Sequence, residues 1–373
     1  MIMKILGLIV AIGLVLFLVV VFTSGEIKLT RTAKEWQAES WMERDTSLPS
    51  VLPARVLALT DLPPLEPVPS PDDMAAAIKK SREAGCNGAV LTFSWPSLEP
   101  RQGAYSLDEL KRSVALNQGR ILFLGIQVLN TTVKDLPVDL QGKPFDDPLI
   151  LERFCSFLDA LAPFLKNRVS YLSIGNESDI YLSMHPDEIE TFGVFLNGAR
   201  QHAKEIAPHL MIGTTLTDSG ALRPEMQKFT AQADAHFLTY YHGQVGLEGA
   251  FKNTKNTKDE ILALATQFDE RPIVFQEIGF PANIEISSPD KQAEFVTGVF
   301  DAWDELGDRI PFLNYFMMYD FPDAIIKDQL AYYGVNENTK PLVIFLSSLG
   351  LHETTGTPRP GWEIFHRRGN LIE

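Results

Sequence analysis

From Ala54 onward the chain alternates between two hydrophobic patterns. Short, near-continuous apolar and β-branched runs predict buried strands at Arg55–Thr60, Gly88–Ser94, Ile121–Val128, Ser170–Ile174, Met211–Thr215, Ala235–Tyr241, Ile273–Gln276 and Phe312–Met318. Stretches with helical spacing follow them, at Pro71–Ala84, Leu107–Leu116, Pro148–Leu165, Pro186–Ile206, Pro224–Ala233, Lys258–Phe268, Pro289–Leu306 and Gly361–Arg368. Their ends carry the expected punctuation. Ser70 precedes Pro71, Asp72 and Asp73 fill the first turn, and Gly85 closes the helix; Ser288-Pro289 opens another in the same way. Ala331–Ser348 reads as an elaboration before the last helix. Alternation of this kind predicts an α/β protein, a (β/α)8 TIM barrel spanning 54–373 as a single catalytic domain. It could also build an open doubly wound sheet. No Gly-x-Gly-x-x-Gly follows the first strand, so a dinucleotide fold has no support.

The N-terminus breaks this pattern. Lys4 is followed by Ile5 to Phe22, 18 residues without a charge or strongly polar group. That length is at the lower edge of a membrane-spanning helix and longer than the usual apolar core of a cleaved signal peptide. Residues 1–25 are therefore expected to be an N-terminal signal-anchor or signal peptide, with 26–53 a linker and the domain facing the extracytoplasmic side or secreted. Lys28, Arg31 and Lys34 follow the segment, so charge alone leans slightly towards the other orientation.

Composition narrows the partners. The net charge of −15 argues against nucleic acid or an anionic membrane surface and is compatible with a neutral substrate such as a carbohydrate. Cys86 and Cys155 fall on elements separated by another strand-helix unit, so two free thiols are expected. No His, Asp and Glu cluster has metal-ligand spacing, and neither a metal nor another cofactor is expected.

Two strands end on glutamate. Tyr171-Leu-Ser-Ile-Gly-Asn-Glu177 runs from an apolar stretch into Asn176-Glu177, and Ile273-Val-Phe-Gln-Glu277 does the same at Gln276-Glu277. If both strands belong to one parallel barrel, both carboxyl groups lie at its C-terminal mouth, where such barrels keep their chemistry. Two carboxyl groups facing one cleft can cleave a glycosidic bond.

At these residues the chain resembles the large clan of retaining (β/α)8 glycoside hydrolases that includes endo-galactanases, mannanases, xylanases, cellulases and β-galactosidases. Asn-Glu at the fourth strand and Glu at the seventh carry the resemblance. Phe93-Ser-Trp-Pro-Ser-Leu-Glu-Pro-Arg-Gln-Gly-Ala-Tyr105, Tyr240-Tyr241-His242 and Gly356-Thr-Pro-Arg-Pro-Gly-Trp362 are similar to further segments of that clan. The resemblance implies that Glu177 is the general acid/base, protonated at the start, and Glu277 the ionised nucleophile. Repulsion between two carboxylates is one device that keeps their protonation states apart. It implies that Asn176 binds the sugar 2-hydroxyl and that Tyr241 donates to Glu277. Tyr240 stays open as the alternative, since neighbouring strand residues point to opposite faces. Trp95 and His242 are further substrate-binding candidates, each set against an ordinary packing or hydrogen-bonding role. Covalent retention would place the two carboxyl groups about 5–5.5 Å apart.

The remaining candidates are weaker. Asn130, Tyr319 and Asp320 fall at strand ends, Trp303 and Trp362 read as core, and His202 and His209 as surface. Many clan members carry tryptophan at the end of strand eight; Asn314-Tyr-Phe-Met-Met-Tyr-Asp320 has none. A non-catalytic carbohydrate-binding barrel at the cell envelope is the alternative function. An aldolase-like barrel would want a strand-end lysine for a Schiff base, and none of the eight strands ends on one.

Overall fold

The computed structural model describes residues 30–32, 34–35, 48–49, 52–241, 254–335 and 340–372. The apolar run 5–22 and His242 lie outside these residues. Among the described residues no helix is long and apolar enough to cross a membrane.

Among the described residues ten strands are interleaved with helices: β1 (Val56–Leu59), β2 (Gly88–Ser94), β3 (Ile121–Asn130), β4 (Val133–Lys134), β5 (Val169–Asn176), β6 (Met211–Gly213), β7 (Thr215–Thr217), β8 (His236–Tyr240), β9 (Ile273–Ile278) and β10 (Phe312–Tyr315). The chain divides into two compact units, one from Pro53–Ala89 with Thr239–Glu373 and the other from Val90–Leu238. In the first, β1 pairs with β10 and β10 with β9, both parallel. In the second, β3 pairs with β5 and β5 with β6, again parallel. Every residue of β3 and β5 is buried. That explains the continuous apolar runs: a parallel strand with both faces covered has no reason to alternate.

The helices begin where the capping residues predicted. Ser70 accepts from the Asp73 N–H while Asp73 returns a bond to the Ser70 N–H, a capping box at the start of Pro71–Glu83. Ser288 caps Pro289–Leu306.

Several boundaries differ from expectation, mostly at the C-terminal ends of strands. The predicted strand Met211–Thr215 is two short strands, β6 and β7. β9 continues past Gln276, so Glu277 is inside the ladder and not beyond it. β10 stops at Tyr315, although the chain stays bonded: the Phe316 N–H donates to Ile278 O and the Met318 N–H to Thr60 O. The described residues between β10 and the last helix hold two helices, Asp323–Tyr332 and Lys340–Leu346, and the expected elaboration Ala331–Ser348 contains the second and only the end of the first. A helix not expected from the pattern, Ser178–Met184, starts directly after Glu177. Cys86 and Cys155 are not joined in a disulfide, as expected.

Candidate active site

The second unit positions Glu177. β3 ends at Asn130 and turns through Thr131-Thr132 into β4, which pairs antiparallel with it. Thr131 has φ 53° and Glu177 has φ 45° with ψ 43°. Both are left-handed non-glycine residues, a conformation costing about 1–3 kcal/mol each that survives only where neighbours over-determine it. Here they brace one another. The Thr131 N–H donates to Asn176 O at 2.9 Å, and the Thr131 hydroxyl donates to Glu177 Oε2 at 3.2 Å. Asn176 Nδ2 reaches Asn130 Oδ1 at 3.4 Å.

On its other side Glu177 is held through Asp179 and Ser178. The buried Asp179 carboxylate accepts from the Thr217 N–H at 2.8 Å and the Thr217 hydroxyl at 2.7 Å. Gly220 makes this possible, because a Cβ there would lie 1.9 Å from Asp179 Oδ2. Ser178 Oγ and Thr214 Oγ1 are 2.8 Å apart. Burial pushes the Asp179 carboxyl above its ordinary range, and the Thr217 hydrogen bonds and the Arg223 charge pull it back. The strained glutamate is therefore clamped between the end of β3 and the β6–β7 segment.

The first unit positions Glu277, which is 1% exposed. The Tyr241 hydroxyl donates to Glu277 Oε2 at 2.7 Å, and Gln276 Nε2 approaches Oε1 at 3.4 Å. Asn314 on β10 fixes the strand beneath, donating to Gln276 O at 2.8 Å and to Thr60 Oγ1 at 3.0 Å. Burial pushes the Glu277 carboxyl up to about 7, against the pull of the Tyr241 and Gln276 donors.

That shift has a cost in stability. A carboxyl raised from 4.5 to about 7 binds a proton on folding between those pH values, so folding is favoured at the acid end and stability falls as pH rises through the window. Glu277→Gln removes the titration while keeping an acceptor for Tyr241. It should raise stability by on the order of 2–3 kcal/mol above pH 7 and do little near pH 4. Thermal melts of the two proteins across pH 4–8 would check this; parallel stability curves would refute it.

The other candidates separate clearly. Tyr240, the alternative to Tyr241, stacks on Phe295 and meets Phe275 edge-on, so its ring is committed to the helix layer. Trp95 is fully buried, edge-on to Phe154 and stacked near Phe157 of the helix Pro148–Asn167, with its indole N–H donating to Glu99 Oε2 at 2.8 Å. Glu99 is in turn paired with Arg153. Trp95 is thus a packing residue rather than a sugar platform, because the side chain at a strand-to-helix turn was captured by the outer layer. Tyr319 accepts from Lys80, and Asp320 makes a two-pronged pair with Arg359. Trp303 is core and donates to Ile310 O, while His202 pairs with Asp159 and His209 reaches Val169 O.

Sequence reasoning passed over Thr131, Asp179 and Thr217, because Thr and Asp are common in turns and caps and carry no distinguishing local signal. It also passed over Phe316. The strand-eight segment offers no tryptophan, and Phe316 is the aromatic from it that meets Tyr241, with ring centroids 6.4 Å apart at 83°.

No protein-family model matches the chain, and no curated protein matches it. Solved structures do. GH5_18 from Streptomyces cattleya, in complex with GlcNAc, has a TM-score of 0.64 at 16% identity, over 86% of this chain and 80% of that one. GH5_18 from Bifidobacterium longum subsp. infantis has 0.66 at 15%, over 86% and 79%. The exo-β-1,4-mannosidase Op5Man5 from the Opitutaceae bacterium strain TAV5 has 0.65 at 16%, over 86% of this chain and 59% of that one. At these identities the likeness shows the fold, and it is the (β/α)8 fold that the strand-helix alternation predicts.

Proposed function

We propose that the protein is a retaining glycoside hydrolase that cleaves a β-linked glycoside by double displacement. The observation that carries the reading is the buried Glu277 carboxyl at the C-terminal end of a parallel strand, oriented by the Tyr241 hydroxyl at 2.7 Å. A nucleophile needs a fixed direction of attack, and the short Tyr241 bond to Oε2 leaves Oε1, which has only the 3.4 Å approach of Gln276 Nε2, to meet the anomeric carbon. Glu177, clamped at the end of β5, is the proton donor and then the base; Asn176 beside it is the partner for the sugar 2-hydroxyl. The sugar carbon forms an ester with Glu277 as the leaving oxygen takes the Glu177 proton. Water, deprotonated by Glu177, then breaks the ester, so configuration is inverted twice and retained overall.

The substrate class is drawn from the fold's neighbours. One GH5_18 variant was solved with Manβ1-4GlcNAc, and another neighbour is an exo-β-1,4-mannosidase. A β-mannoside is accordingly the first substrate to try. The uncharged run 5–22 would either tether the enzyme on the extracytoplasmic side or direct its secretion.

Proton NMR of the first-formed sugar from an aryl β-glycoside tests the mechanism. The β-anomer should appear first and mutarotate later. An α-anomer as initial product would overturn the assignment, and binding without turnover would favour a non-catalytic carbohydrate-binding barrel.

A further inference from the structure

Tyr241 directly follows the last residue of β8, and its ring is packed by residues of other elements. Residues from three segments meet its ring. Phe316 meets it edge-on, as already described. Gly279, just past β9, leaves room for it, since a Cβ there would sit 3.0 Å from Tyr241 Cε1 and 2.4 Å from Phe316 O. The third contact comes from the elaboration after β10. Phe345, 4% exposed on the helix Lys340–Leu346, meets the Tyr241 ring at 5.7 Å and 72°.

That helix is tied to the loop leaving β9. The Ala282 N–H donates to Ser348 O at 2.8 Å. Gln292 Nε2 donates to Phe280 O at 3.0 Å and to Gly350 O at 3.1 Å, joining both segments through one buried amide. The strand carrying Glu277 and the helix carrying Phe345 are therefore fixed to each other, and Tyr241 is packed by Phe345 with its hydroxyl on Glu277.

We propose that Phe345 is a positioning residue for the reaction: it holds the Tyr241 ring so that the hydroxyl stays on Glu277. The inference rests on Glu277 being the nucleophile. The donor stabilises the ionised carboxylate and aims its second oxygen. Without Phe345 the Tyr241 ring gains rotamers that carry the hydroxyl away, and Glu277 then loses the bond that favours its charged form.

The test reads Glu277 directly. Protein labelled with 13C at glutamate carboxyls is titrated as wild type, Tyr241→Phe, Phe345→Ala, Phe345→Leu and the Tyr241→Phe/Phe345→Ala double variant, with Glu277→Gln to assign the signal. Loss of a hydrogen bond to a charged carboxylate should move its titration upward by about one pH unit. Tyr241→Phe and Phe345→Ala should both show that rise, Phe345→Leu a smaller one, and the double variant no more than Tyr241→Phe alone. The acid limb of kcat/KM should follow the same order. An unchanged Glu277 titration in Phe345→Ala, or a double variant shifted well beyond Tyr241→Phe, would mean that Phe345 only packs. Phe345→Leu keeps most of the apolar volume and covers the case in which the alanine variant does not fold. A failure of the glycosidase reading looks different: wild type would turn over no glycoside while the carboxyl titrations still shifted together.

Discussion

Glu277→Ala is expected to lose turnover by roughly 10⁴-fold or more, because under the proposed mechanism the variant has no group to form the glycosyl ester. Added azide or formate should restore part of the rate. Truncation leaves a space where the carboxyl stood, lined by the Tyr241 hydroxyl that now lacks its 2.7 Å acceptor. A small anion there attacks from the side the nucleophile used. Only one displacement then occurs, so a β-glycoside should yield the α-glycosyl azide. NMR of the product distinguishes this from residual wild-type activity, which would give the β-sugar. A Glu277→Ala protein as active as wild type would remove Glu277 from the reaction.

Glu177→Ala should behave differently, and the difference lies in the leaving group. Departure of an alcohol requires a proton, so alkyl glycosides and oligosaccharides should lose roughly 10²–10⁴-fold, the usual contribution of a general acid. A nitrophenyl glycoside needs no proton to depart, and its first step should continue at close to the wild-type rate. The glycosyl-enzyme then accumulates, since no base activates water. Azide needs no deprotonation and should release it as the β-glycosyl azide, with the substrate's own configuration. An initial burst of nitrophenol followed by a slow steady state would mark the accumulation. Equal losses on good and poor leaving groups would assign Glu177 another role. The strain at Glu177 adds a structural expectation: the glutamate is held at φ 45° by its neighbours, so the alanine variant should keep the backbone and the fold.

What could be read in advance was whatever is encoded by neighbours in the chain. β3 and β5 are buried on both faces, and their near-continuous apolar runs announced that before any packing was known. Ser70 and Ser288 fixed helix starts through bonds spanning three residues. Glu177 and Glu277 were visible because polar residues at the end of such runs interrupt the apolar pattern. Between Tyr240 and Tyr241 the chain is ambiguous, since a strand turns successive side chains to opposite faces and nothing local says which face holds Glu277. Tertiary packing decided it: Phe295 takes Tyr240 from the helix side, and Glu277 takes Tyr241. The same kind of long-range contact drew Trp95 into the layer of Phe154 and Phe157, brought Thr217 to Asp179 across 38 residues, and set Phe345 against a tyrosine more than a hundred residues earlier. Periodicity and capping are properties of a few consecutive residues, so the sequence alone determined most of the strands, the helix starts at Ser70 and Ser288, and the placing of Glu177 and Glu277 at strand ends. Which side chains surround each glutamate depends on how separate elements close on one another, and that was settled only by the folded structure.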